Sequence, residues 1–120
     1  MIQLNHQTPI VLATHPADFR KGIDGLVALC RSTFEQHPRS GTCFVFINRS
    51  RTMIRILAYD STGYWLMTKR LSQGRYLHWP KSDQAISVLQ AKQLRMLLQN
   101  SFSEQLTDEK KQKKLDRVLV

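Results

Sequence analysis

The chain has 120 residues, enough for one domain around one core and too short for two. Its 42% hydrophobic and 22% charged residues fit a soluble globular protein. The net charge of +9 is less ordinary: residues 108–117 hold five basic and three acidic side chains and carry +2 of it. The other +7 sits in the body, where it favours nucleic acid, an acidic protein or an anionic membrane over a merely solubilising surface.

Reading from the N-terminus, Ile10–Ala13 is a short apolar run and predicts a strand at the sheet edge. Thr14, His15 and Pro16 end it. In the next segment Ile23, Leu26, Val27, Cys30 and Phe34 recur at spacings of three and four, which predicts a helix over 22–34 with one apolar stripe. Gly22 and Gly25 are poor helix residues, and their presence predicts close packing of this helix on a sheet. Pro38, Ser40 and Gly41 end the helix.

Residues 42–75 are the centre of the chain. Short β-branched and aromatic runs alternate with polar turns, which predicts strands over 43–48, 52–60 and 64–71 joined as antiparallel hairpins. The first strand is apolar at every position and is expected to be covered on both faces. In the second, Ile54, Ile56 and Ala58 share one face, and Met53, Arg55, Leu57 and Tyr59 the other. Asp60 to Gly63 has turn composition. A loop follows over 75–80, and Leu89, Leu94, Leu97, Leu98 and Phe102 predict a helix over 87–102, capped by Ser82 or Ser87. The body therefore runs over 1–103, and 104–120 is a basic C-terminal tail or helix. The fold class is α+β: a small antiparallel meander of three or more strands packed with two main helices.

The sequence offers little for catalysis. Asp18 and Asp60 have local roles as helix-start and turn residues, and Asp18 and Asp24 lie six positions apart, which puts them on different faces of any helix. The histidines at 6, 15, 37 and 78 are scattered without metal-ligand spacing, and no serine-nucleophile motif occurs. Cys30 and Cys43 read as buried thiols of a cytoplasmic protein. No catalytic residue, metal or cofactor is assigned. No apolar run approaches the ~18 residues of a membrane span, so no membrane partner is expected.

Charge and aromatic content are more informative. Between Arg49 and Arg75 six basic residues face one acid, Asp60. The residues expected to contact nucleic acid are Arg20, Lys21, Arg49, Arg51, Lys69, Arg70 and Arg75, with Trp79 as an aromatic that can stack on bases. Trp65 is expected to be a core or lid residue.

Several of these stretches resemble a known family in order. Asp18-Phe19-Arg20-Lys21-Gly22-Ile23-Asp24-Gly25-Leu26 is similar to a D-M-R-K-G-F-D-G-L element. CFVFINRSRTMIRILAYDSTG resembles the strand pair that follows it in that family, KRLSQGRYLHWP the next segment, and QAKQLRMLL a later helix. The family is the TnpB-type, Orf2-like accessory protein of bacterial insertion sequences of family sixty-six, unrelated to the RNA-guided nucleases that share the label. The resemblance covers about residues 8–102. Phe19, Ile23 and Gln90 depart from the family pattern, and Gln90 in place of threonine weakens the helix start. The resemblance implies a non-catalytic protein that assists transposition beside a separate transposase. Its implied partners are the DNA of the insertion-sequence ends and that transposase. The alternatives are a protein-interaction adaptor without DNA binding, which exposed apolar surface near Met53, Leu57 and Tyr59 would favour, and a small metal-dependent nuclease.

Overall fold

The computed structural model describes residues 7–100. In chain order these form β1 (Ile10–Ala13), a 3-10 turn (Phe19–Lys21), α1 (Gly22–Ser32), β2 (Cys43–Ile47), β3 (Met53–Tyr59), β4 (Tyr64–Arg70), β5 (Ile86–Leu89) and α2 (Ala91–Leu98). The strands make one sheet in the order β4-β3-β2-β1-β5. The predicted meander is present: β2 pairs antiparallel with β3, and β3 with β4. The short connections 48–52 and 60–63 allow nothing else, whereas β1 and β2 pair parallel across the long connection that contains α1.

The sheet is covered on both faces. On one, α1 buries Leu26 and Cys30 against Val11, Ala13, Phe44, Phe46 and Leu57. On the other, α2 and the 71–80 loop bury Tyr76, Trp79, Leu94 and Leu97 against Ile10, Leu12, Val45, Ile47, Ile54 and Ile56. The uniform apolarity of β2 follows from serving both cores, and the two faces of β3 divide as the alternation predicts. Cys30 and Cys43 lie in opposite cores as free thiols, and burial pushes the Cys30 thiol up to about 12.

Three expectations need correction. β1 lies inside the sheet between β2 and β5, because its four residues alternate into both cores and all are buried. The segment 87–102 is not one helix: residues 86–89 pair antiparallel with β1, and the helix begins only at Ala91. Its cap is Gln90, whose side chain accepts from the Gln93 backbone while the Gln93 side chain accepts from the Gln90 N–H at 2.8 Å. Gln90 thus starts the helix rather than weakening it, while Ser82 serves a turn by accepting from Gln84 N–H. Phe102 and the predicted tail lie outside the described residues.

The third correction concerns α1, which ends at Ser32, with Phe34 still packed on the core. Its two glycines serve the junction with the 3-10 turn and not an approach to the sheet. Gly22 has φ 64° and ψ −161°, a region that is essentially glycine-only. A methyl group at Gly25 would meet Lys21 Cβ. Gly22→Ala should cost about 1–3 kcal/mol, all of it backbone strain because the space around the position is open. A urea midpoint equal to that of the wild type would contradict this.

Candidate nucleic-acid interface

The strand directions gather most of the basic positions at one end of the sheet. β1, β2 and β4 all finish there, beside the turn that joins β2 to β3. Asn48 builds that turn. Its Oδ1 accepts from the N–H groups of Thr52 and Met53 at 2.9 and 3.0 Å, and its Nδ2 donates to Ser50 and Thr52 hydroxyls. With the turn held from inside, Arg49 projects into solvent at its tip. Arg51 takes a left-handed backbone, φ 60°, and its carbonyl accepts the Tyr76 N–H at 2.7 Å.

On the α1 face below this tip lies an open groove of about 540 Å³. Arg20, Arg49 and Arg55 line it, with Asp18, Phe19, Asn48, Ser50 and Met53 among the other walls. Arg70 of β4 is outside that lining but pairs directly with Met53, so it lies beside the groove on the same face of the sheet. Asp18 is the one carboxylate in the lining. It caps the 3-10 turn by accepting from Arg20 N–H and forms a 2.9 Å ion pair with the Arg20 guanidinium. These bonds from Arg20 hold the Asp18 carboxyl well below the usual carboxylate range. Three guanidiniums against one committed carboxylate leave the groove positive.

Arg55 is not among the expected contacts. It donates from Nη1 to Phe19 C=O at 2.6 Å and from Nε to Thr68 at 3.1 Å, with its guanidinium 4.7 Å over the Phe19 ring. It therefore ties the 3-10 turn to β3 and β4 while lending charge to the groove. A clue was present in the sequence: a lone arginine inside an apolar strand needs partners.

The remaining predicted positions divide. Arg20 and Lys21 sit in the 3-10 turn, both exposed. Lys69 points to the opposite face from Arg70, where its Nζ donates to Leu98 C=O at the end of α2. Arg75 lies beside the same helix end, its carbonyl accepting from Asn100 Nδ2 at 2.9 Å. The two tryptophans exchange the environments expected of them. Trp79 is 4% exposed and donates from Nε1 to Ala13 C=O at 2.9 Å, so it presents no free ring face to a base. Trp65 is 45% exposed and donates to Asp60 Oδ2 at 2.6 Å.

Asp60 also accepts from Thr62 and Gly63 in the β3–β4 turn, and these bonds, that from Trp65 foremost, lower its pKa to about 2. This turn is at the far end of the seven-residue β3, about 23 Å from the arginine groove. Asp18 and Asp60 are thus not brought together. Among the described residues no group of three or more His, Cys, Asp or Glu side chains is placed to hold a metal ion. None of their helices is long and apolar enough to cross a membrane.

The family described as "IS66 Orf2 like protein" matches residues 8–107. The chain belongs to this family. Two relatives from Sinorhizobium fredii are similar to it. "Uncharacterized protein y4jC" is 39% identical over 77 residues, which cover 64% of this chain and 66%, just under two thirds, of that protein. "Uncharacterized protein y4hO" is 30% identical over 98 residues, 82% of this chain and 84% of that protein. No solved structure matches. Membership implies an accessory role in insertion-sequence transposition, in a family that is not a known enzyme family. Both the 3-10 turn and the β2–β3 turn that shape the groove fall inside the matched residues.

Proposed function

We propose that this chain assists transposition by gripping the phosphate backbone of the insertion-sequence ends in the arginine groove, without cutting them, and so presents the DNA to the separate transposase. The observation that carries this reading is the convergence of Arg20, Arg49 and Arg55, with Arg70 beside them, on one open groove whose single carboxylate is already paired. Guanidinium forks match phosphate geometry, and phosphate contacts give affinity without reading sequence. The adaptor reading has less support at its expected place, because Leu57 is fully buried and Met53 and Tyr59 are half-buried.

The test is a titration of the protein against the terminal DNA of its element, with and without the transposase and with magnesium or manganese present. Binding that weakens with salt and leaves the DNA uncut is expected. Association with transposase but not with DNA would install the adaptor reading instead. Cleavage lost on Asp18→Ala or Asp60→Ala would overturn the non-catalytic one.

A further inference from the structure

We propose that two copies of this chain join edge to edge through β4, antiparallel, with Met67 facing its own counterpart on a two-fold axis. β4 ends the sheet, and among the described residues nothing pairs with its outer side. Two bonds fix which groups point outward. Asp60 N–H donates to Gly63 C=O at 3.1 Å, and Leu71 N–H to Thr52 C=O at 3.0 Å. In an antiparallel ladder the bonded residues alternate, so 65, 67 and 69 are bonded to β3. The N–H and C=O groups of Tyr64, Leu66, Thr68 and Arg70 face away from the sheet, a row of unused donors and acceptors.

A pairing centred on Met67 uses all of them. Tyr64 falls opposite the partner's Arg70 and Leu66 opposite the partner's Thr68, and the symmetric pairs repeat this. Every hydrogen-bonded position on one strand then meets one on the other. Between them Trp65 meets the partner's Lys69, and Met67 the partner's Met67. The charges fit this register: Lys69 and Arg70 each fall opposite an uncharged residue of the other copy, and no like charges are opposed. A slip of one residue sets outward groups against inward ones. A slip of two shortens the ladder.

The same register covers apolar surface that the monomer leaves in water. Trp65 and Met67 are 45% and 37% exposed, on the α2 face of β4. The Asp60 bond to the indole already fixes the Trp65 ring. β5, the other edge, has only four residues and offers a shorter ladder. The two arginine grooves would lie on one face of the continuous sheet, at opposite ends.

Opposed residues at a non-hydrogen-bonded antiparallel site have Cα atoms about 4.5 Å apart, within disulfide reach. Met67→Cys under a mild oxidant should therefore give a covalent dimer of twice the 14.0 kDa chain mass. Cys30 and Cys43 are buried and do not compete. Trp65→Cys, whose counterpart is Lys69, should not cross-link. In sedimentation velocity the wild type should run as a dimer at micromolar concentration. Met67→Lys, which opposes two ammonium groups on the axis, should run as a folded monomer. A wild type that stays monomeric up to its solubility limit overturns the proposal. So does a Met67→Cys protein that cross-links no better than Trp65→Cys, a reading that stands even if Met67→Lys fails to fold.

Discussion

Arg49→Glu combined with Arg70→Glu should weaken DNA binding about a hundredfold. Each arginine is exposed and makes no side-chain bond among the described residues, so each is free for a phosphate. A charge-assisted hydrogen bond contributes about 1.5 kcal/mol or more, and two lost together amount to about 3 kcal/mol, or two decades of affinity. The salt response is the sharper measurement. With four guanidiniums engaged, affinity should fall on the order of a hundredfold between about 50 and 200 mM salt, a log–log slope near −3.6. Losing two contacts should flatten that slope by about 1.8.

The other two groove arginines make poorer probes. Arg20→Glu sets a second carboxylate against Asp18 and loses the ion pair at the 3-10 turn. Arg55→Glu leaves the Phe19 carbonyl without its donor. Fluorescence anisotropy with duplex ends, beside circular dichroism of each variant, reads the effect. Reversing the lysines at 110, 111, 113 and 114 should matter less, because Asp108, Glu109 and Asp116 dilute their field. A folded double variant that binds like wild type, with a tail variant that does not bind, would place the contact surface in the tail.

The sequence was most informative where the deciding interactions are local. The β3–β4 turn could be read because Asp60 satisfies the N–H groups two and three residues ahead, a bond pattern that composition reveals. The same holds for Asp18 at the 3-10 turn. β1 and β5 are four residues each, and what places them is their pairing with one another, Ile10 with Leu89, across most of the chain. No periodicity within a four-residue run carries that partner. β5 reads as the start of the helix because Leu89 falls near enough to the stripe of Leu94 and Leu97 to extend it, although the Gln90–Gln93 capping box separates them. The basic positions were visible as a count, but their division between two faces depends on register: Arg70 shares the groove's face of the sheet, while Lys69, one residue earlier, reaches the end of α2.

Trp79 carries the other large expectation, and it is one of stability. Its ring is packed in the α2-side core with Tyr76, Leu94 and Leu97, and its Nε1–H is the bond that fastens the 71–80 loop to the end of β1. Trp79→Ala removes a buried aromatic and leaves a cavity, which costs about 3–5 kcal/mol. It also strands the buried Ala13 carbonyl, so the fold should be near or past its limit at physiological temperature. Trp79→Phe separates the two contributions, because it keeps most of the volume and removes only the donor. It should cost about 1–3 kcal/mol in urea denaturation. DNA affinity supplies the contrast with a stacking role. Measured where Trp79→Phe is still folded, affinity should match the wild type, since the indole does not reach the groove. If Trp79→Phe were as stable as wild type but bound DNA more weakly, the indole would be a contact to bases, and the loop would have to open to present it.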